Sequence, residues 1–266
     1  MRELELLAEL ERRGLIVGVE HDAAQLDWAG FGGLVVTQDA LVEGVHFRFD
    51  LLDWRELGYR AAAVNISDLA ASGAEPLALF VSLAAPRLDD AVALYEGIAE
   101  AGVPVRGGDT TASPHVVLSV TALGRSERVP GRAGAQPGDH VVVTGPLGAT
   151  AVGFREGQLP RPPRRIEEGK RLARVATAML DISDGLGVDA SHIASRSGVR
   201  IVLDPDAVPL APGATRDDLA FGEDYELLAT TRDPLGFPVI GRVEAGSGVE
   251  PHPPILLGGW EHFVEP

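Results

Sequence analysis

Apolar and polar positions along the chain switch between two periods, and the switches divide it into elements. Between Asp53 and Gly73 the period is helical: Leu57, Ala61, Val64, Asp68 and Ala71 fall within one narrow arc at roughly 100° per residue. The run predicts one long helix. Asp53 stands where a cap is expected, with Glu56 three residues on as reciprocal partner of a capping box, and Gly73 stands at a left-handed stop. Asp68 thus lies on a stripe that otherwise reads as core. A carboxylate there must be neutralised, paired or bound to a cation, because a lone buried charge is very costly. The pattern alone leaves those three open.

The remaining pattern extends this reading in both directions. Residues 2–13 read as a short amphipathic helix ending near Gly14, and His21 to Ala24 as a turn or strand start. Leu34 to Asp39 is an apolar run closing in a polar trio, so a strand delivering Asp39 at its C-terminal end; Leu41 to Phe49 is a loop holding Glu43 and His46. Leu77 to Ala84 reads as a buried strand. A helix capped by Asp89 or Asp90 carries Val92, Leu94, Tyr95 and Ile98 to a stop at Gly102. Val103 to Val105 leads into the glycine pair of Gly107-Gly108-Asp109-Thr110-Thr111, and Val116 to Leu123 is another strand.

Pro130 to Gly138 is the strongest linker signal, which places a domain boundary between 1–137 and 138–266. Beyond it, His140 to Thr144 reads as a strand, Gly145 to Gly148 as a turn, and 156–170 as a Pro- and Arg-rich surface connection. Arg171 to Ala178 reads as helical. Asp181-Ile182-Ser183-Asp184 opens a further helix that stops at Gly198, and strands are expected at 200–203, 225–230 and 238–243. Mixed helices and strands in both halves predict two α/β (α+β) domains. Ile-Ser-Asp occurs twice, at Ile66 and at Ile182, each time before a small-residue helix ending in Ser-Gly.

Composition narrows the function classes. A formal net charge of −16 over 266 residues disfavours nucleic acid and anionic membranes as partners. An acidic protein still binds an anionic substrate where metal ions invert the local field. The absence of cysteine excludes disulfides, thiolate metal sites and cysteine nucleophiles. No signal peptide or membrane span is visible, so the cytoplasm is the expected location.

Asp22, Asp39, Asp68, Asp109, Asp181 and Asp184 are expected at strand ends or helix starts, beside small residues that let a ligand approach the backbone. Any one of them taken alone reads as readily as a cap or turn residue. Asp68 is the exception, because caps do not lie on an apolar stripe. Carboxylates with hydroxyls favour Mg²⁺, which reaches phosphates through one or two carboxylates. Several such sites together suggest more than one metal holding a polyphosphate. No Gly-Lys-Ser or Gly-Lys-Thr exists, and protein-kinase signatures are absent. A phosphoryl-transfer enzyme built from these residues uses metals and arginine in place of lysine, and Arg132 in the linker is the first candidate, though spacing alone favours a solvated arginine. His46 stands in a loop, where a lone histidine is more often incidental. Gly222-Glu223-Asp224-Tyr225-Glu226-Leu227 packs three acids against a strand, able to bind a cationic group or cap an edge. Trp260 can stack on an aromatic cation or serve C-terminal packing.

Five stretches taken together resemble thiamine-monophosphate kinases, of the superfamily that includes aminoimidazole ribonucleotide synthetase and selenophosphate synthetase. They are Val36 to Phe47, Ala63 to Ala70, Gly107 to Thr111, Asp181 to Leu186 and Gly222 to Leu227, of which the Glu43-Gly44-Val45-His46-Phe47 tail is the most specific. The resemblance implies a two-domain aminoimidazole ribonucleotide synthetase-like fold, each domain a mixed sheet covered by helices. It implies transfer of the ATP γ-phosphoryl group to thiamine phosphate, direct and in line, with several Mg²⁺ ions. By matching position, Asp22, Thr37, Gln38, Asp39, Asp68, Asp109, Asp181 and Asp184 resemble the metal set, with Asp39, Asp68 and Asp109 central to catalysis. Gly108, Asp109, Arg132, Ser183 and Tyr95 resemble ATP contacts; His46, Glu223 and Trp260 resemble substrate contacts. Residues 1–137 would then form a metal- and ATP-binding dimerisation domain and 138–266 a domain completing the substrate site, in a homodimer.

Four features depart from the family pattern: Glu20-His21-Asp22 replaces adjacent aspartates after a glycine, Gln38 replaces a hydroxyl residue, Ala220-Phe221-Gly222 replaces a glycine pair before Glu223, and Leu147 to Asp181 is shortened. Gln38 would then reach a metal through its amide oxygen or its backbone. Two other readings stay open at this level: another ATP-dependent synthetase of the superfamily, and a non-catalytic protein that binds nucleotide or divalent cations.

Overall fold

The computed structural model describes residues 24–27, 33–255 and 257–260; the helix expected over 2–13 and the candidate ligand Asp22 lie outside them. Two mixed sheets follow one another along the chain. The first holds β1 (Ala24–Asp27), β2 (Gly33–Val42), β3 (Glu75–Ala85), β4 (Val105–Ala112) and β5 (Val117–Ser126) in the order β1-β2-β5-β3-β4. All its pairs are antiparallel except β3 with β4. The second holds β6 (His140–Val143), β7 (Ala176–Asp181), β8 (Arg200–Leu203), β9 (Leu227–Thr231), β10 (Val239–Glu244) and β11 (Gly248–Pro251) in the order β11-β8-β10-β6-β9-β7. There, among the described residues, β8 and β11 run parallel and the other pairs antiparallel.

The long helix forms as expected. Helix α1 (Trp54–Ala71) starts where the Asp53 carboxylate accepts the Glu56 N–H at 2.8 Å, and the chain leaves it through Gly73 at φ 62°. Only half of the capping box is made, because the Glu56 carboxylate turns instead to the Arg161 guanidinium at 2.7 and 2.8 Å. Burial also exceeds one stripe: Gly58, Arg60, Ala62, Ala63, Asn65 and Ser67 are buried too. The reason is position. Leu57, Ala61, Ile66 and Leu69 join the first sheet's core with Val35, Leu79, Val81 and Leu118. Ala70 and Ala71 join Leu172, Met179, Leu227 and Ala229 from the second half. The helix is therefore shared between the halves. The second sheet has a further core of its own, with Val141, Leu180, Ile193, Ile201 and Ile240.

Helix α2 (Ala91–Glu100) crosses α1 at very short range. A Cβ added at Gly58 would lie 1.9 Å from the Leu94 carbonyl oxygen, and one at Gly97 would lie 1.9 Å from that of Arg55, so only glycine permits this approach. Three further helices, α3 (Ala149–Glu156), α4 (Ile166–Ala173) and α5 (Leu186–Ser197), belong to the second half, with a 3-10 turn at Arg216–Ala220.

Several boundaries differ from the sequence expectation. Strand β2 runs through Asp39 to Val42 rather than ending on it. Gly107 to Thr111, left without an element in the sequence reading, is part of edge strand β4, where a Cβ on Gly108 would meet the Val81 carbonyl oxygen at 1.8 Å. The helix expected from Arg171 to Ala178 is divided: α4 ends at Ala173 and β7 begins at Ala176. Arg128 fixes that break by donating to the carbonyls of Ala173 and Ala176. The residues expected to open α5 are split between the end of β7 and a turn, with Gly185 as the cap. Strand β11 and helix α3 had no local signal strong enough to predict them.

The Pro-rich segment 157–165 does run over the surface, but over the first half. The Pro160 carbonyl accepts from Arg60 at 3.2 Å and that of Pro162 from the Tyr59 hydroxyl at 3.4 Å. Arg161 pairs with Glu56 and Glu100 at 2.7 Å each and lies 4.5 Å from the Tyr59 ring centre. Among the described residues no helix is long and apolar enough to cross a membrane.

Candidate active site

A cavity of about 780 Å³ opens between the halves. Thr37, Gln38, Asp39, His46 and Asp68 line it from the first half, Arg132 from the linker, and Asp181, Ser183, Asp184, Glu223, Tyr225 and Trp260 from the second.

The first-half wall rests on regular elements. Side chains alternate across a strand, so Thr37 and Asp39 share the face of β2 that meets α1, while Gln38 is exposed on the other. The Gln38 amide donates to Ser119 Oγ at 2.9 Å there, so its side chain is turned from the acids even though the residue borders the cavity. The Thr37 hydroxyl donates to the Asp68 carboxylate. Asn65 sets the register: its Oδ1 accepts the Asp39 N–H at 3.1 Å and its Nδ2 donates to the Ala61 carbonyl at 2.9 Å. One residue before Asp68, the fully buried Ser67 hydroxyl donates to Asp181 Oδ2 at 2.5 Å. Adjacent residues of one helix thereby address both halves. At the cavity rim the Val42 N–H donates to His46 Nδ1 at 3.1 Å, so a neutral imidazole carries its proton on Nε2.

The second-half wall is made of turns. Ser183 and Asp184 follow the end of β7, and the 222–226 loop lies against them. Its Glu223 N–H donates to the Ser183 carbonyl at 2.7 Å and its Tyr225 N–H to that of Ile182 at 2.9 Å. Glu223 and Tyr225 take positive φ, 56° and 52°, a conformation that non-glycine residues hold only when their surroundings enforce it. The alternation throws successive side chains to different places. Glu223 meets Arg60 of α1 at 2.9 Å. Asp224 accepts the Gly148 N–H at 2.8 Å at the start of α3. Glu226 takes the Arg165 fork at 2.6 and 2.7 Å and the Thr144 hydroxyl at 2.6 Å. The three acids read as one cluster in the sequence thus have three separate tasks, and of them only Glu223 lines the cavity.

Burial shapes the titration of this wall. It pushes Asp224 up to about 7, against the N–H donors at the start of α3. Asp189, buried in α5, is pushed well above the ordinary carboxylate range by desolvation and then by Asp184 and Asp181. It accepts the N–H groups of Asp184 and Gly185 at 3.1 and 3.0 Å. His192 is lowered to about 4 by burial, reinforced by Arg132 and Arg196. Ligand atoms of Asp184, Asp189 and His192 lie within 4.8 Å of one another. The sequence reading missed Asp189 and His192, although their spacing of three puts them on one helix face.

Not every candidate meets the cavity. Gly108 and Asp109 lie on exposed strand β4, and half-buried Tyr95 packs from α2 against the first core; none of the three is among the lining residues. Trp260 lines the cavity, 51% exposed, its N–H donating to the Asp184 carbonyl at 2.9 Å. The Ile-Ser-Asp echo has no structural counterpart, since the first copy is mid-helix and the second a strand-to-turn junction. What the cavity offers is a set of carboxylate and hydroxyl oxygens without sulfur, suited to a hard divalent cation, with Arg132 at hand for an anion.

Comparison with known proteins agrees with this architecture. The family model "AIR synthase related protein, N-terminal domain" matches residues 20–126. The thiamine-monophosphate kinase of Pyrococcus horikoshii is 36% identical over 86% of this chain and 86% of its own. That of Mycobacterium tuberculosis is 36% identical over 95% of this chain and 87% of its own. A solved structure described as AaThiL complexed with AMPPCP and TMP superimposes with a TM-score of 0.89 at 31% identity, covering 98% of this chain and 97% of that one. On identity, coverage and a shared two-sheet fold, this chain belongs to the thiamine-monophosphate kinase family.

Proposed function

We propose that this chain is an enzyme that transfers the ATP γ-phosphoryl group to thiamine monophosphate, giving thiamine diphosphate and ADP. The observation that carries the reading is the single cavity in which Asp39, Asp68, Asp181 and Asp184, distant in sequence, meet Ser183, Arg132, His46, Glu223 and Trp260. Thr37, Asp39, Asp68, Asp181 and Asp184, which line the cavity, would hold several Mg²⁺ ions, with Gln38 contributing through its backbone and Asp22 and Asp109 added on the family resemblance alone; the carboxylate and hydroxyl oxygens fit that metal. Bound there, the ions supply charge neutralisation for the phosphoryl group in flight.

The residues themselves position the reactants. Asp39 and Asp68, with Asp109 on the family resemblance alone, are the catalytic set, and Asp68 keeps its orientation through the Thr37 hydroxyl. Arg132 and Ser183 face ATP. Gly108, Asp109 and Tyr95 join them on the family resemblance alone. His46, Glu223 and Trp260 hold the acceptor, a carboxylate and an indole matching the positive thiazolium and the aminopyrimidine. The acceptor is already a phosphate, so transfer is direct and in line, and no strong general base is required.

The reading extends to the assembly. Residues 1–137 form the metal- and ATP-binding half and 138–266 the half that completes the substrate site. The first sheets pair in a homodimer, supported by the exposed Leu77, Phe80 and Val105 on β3 and β4. The partners are small molecules in the cytoplasm, not nucleic acid or membrane, in keeping with a net charge of −16.

The test is turnover: protein, ATP, Mg²⁺ and thiamine monophosphate are mixed and thiamine diphosphate is measured. ATP binding without product would instead indicate a binding protein, and product from a different acceptor a sibling synthetase.

A further inference from the structure

Arg60 is a charged residue in the wrong place for one that merely solubilises a helix. It is 2% exposed, in the middle of α1. Burying a guanidinium is costly unless its charge and its N–H groups are matched. Among the described residues Arg60 is matched by the second half: Nη2 donates to Glu223 Oε2 at 2.9 Å and Nη1 to the Pro160 carbonyl at 3.2 Å. Its carbon Cζ stands 5.9 Å from the centre of the Tyr225 ring. Its Nε is buried without a hydrogen-bond partner. A group kept at that expense, and absent from the cavity lining, acts on something else.

What it acts on is Glu223. The backbone of that residue is pinned on both sides, its N–H by the Ser183 carbonyl at 2.7 Å and its carbonyl by the Thr150 hydroxyl at 2.7 Å. Pinning the backbone does not orient a Glu side chain, which has three rotatable bonds. Arg60 supplies that constraint while leaving the side chain 29% exposed on the cavity wall. A planar guanidinium fixes carboxylate direction in a way an ammonium does not.

We propose that Arg60 is a positioning residue for the acceptor substrate: through its ion pair, made across the two halves, it fixes the Glu223 carboxylate in the orientation that receives the cationic part of thiamine monophosphate. This rests on the reading of Glu223 as an acceptor contact, and the test separates the two. Steady-state kinetics are measured on full-length protein and on Arg60→Met, Arg60→Lys, Glu223→Gln and the Arg60→Met/Glu223→Gln double variant, with thermal unfolding followed in parallel.

Glu223→Gln is expected to raise KM for thiamine monophosphate about tenfold, and Arg60→Met about fivefold, each with kcat within about twofold and KM for ATP unchanged. In the double variant Arg60→Met adds nothing to the Glu223→Gln effect, as residues acting through one another require. Arg60→Lys restores part of the loss; should Arg60→Met not fold, the lysine variant carries the test, with an intermediate KM expected. If Glu223→Gln leaves KM unchanged, the acceptor reading of Glu223 falls, and the Arg60 inference with it. If Glu223→Gln raises KM while the Arg60 variants do not, the inference alone falls. A lowered KM in Arg60→Met would also overturn it, because that is the result of merely unmasking the Glu223 charge. So would additive effects in the double variant.

Discussion

The two walls of the cavity reach the same end by opposite means. In the first half, Thr37, Asp39 and Asp68 sit on a strand and a helix whose periods alone aim them at one another. In the second half, Ser183, Asp184 and Glu223 sit on turns held by long-range backbone bonds and positive φ angles. A wall of regular elements takes its geometry from its own backbone periods. A wall of turns owes its shape to partners elsewhere, which makes single side chains there responsible for geometry as well as for contact.

The contrast can be broken from the largest effect downwards. Asp68→Asn should lower kcat at least about a hundredfold while leaving the fold intact, since the helix that carries it is packed by other residues. Circular dichroism and turnover on the same sample check this, and unchanged turnover in a folded variant would end the metal assignment.

The second wall is probed by Asp224. Its pKa is raised in the folded state to about 7, so its contribution to stability is fully present below the unfolded value near 4 and is lost as pH rises through about 7. Asp224→Asn should therefore gain stability relative to the parent between pH 4 and pH 8, by on the order of 4 kcal/mol. Parallel melting-temperature profiles for the two proteins would show that Asp224 is not the titrating cap of α3.

The smallest effect is expected at the joint between the walls. Ser67→Ala removes the hydroxyl that meets Asp181 at 2.5 Å. Loss of one such bond should cost about 1 kcal/mol in urea unfolding. A cost near zero would mean that the two walls are held in register by packing alone.

The same contrast explains what could be read from the sequence. Asp68 was legible as an odd carboxylate because a helix repeats and the exception shows. Asp39 was legible as a carboxylate delivered by a strand, although the strand's true end at Val42 was not. The 222–226 loop was legible as chemistry but not as geometry. Positive φ at Glu223 and Tyr225 has no glycine to announce it, and the three acids looked like one site. Helix α3 was missed because the carboxylate at its start, Asp224, arrives from 76 residues away. The division of residues 171–178 was missed because small residues such as Ala176 and Ala178 fit either period, and the decision is made by Arg128 reaching from the first half. Arg60 escaped because an arginine after Tyr59 on a helix reads as solvated until the opposite half is in place.

The strap at 157–165 bears on how this chain may be divided. It leaves the second half, ties itself to the flank of α1, and delivers α4 onto that helix so closely that a Cβ on Gly169 would lie 2.1 Å from the Ala70 carbonyl oxygen. A fragment ending at the linker would therefore bare an apolar flank meant for Leu172 and Met179. The chain has two sheets, yet it is stitched twice, and cutting the obvious seam would release neither piece whole.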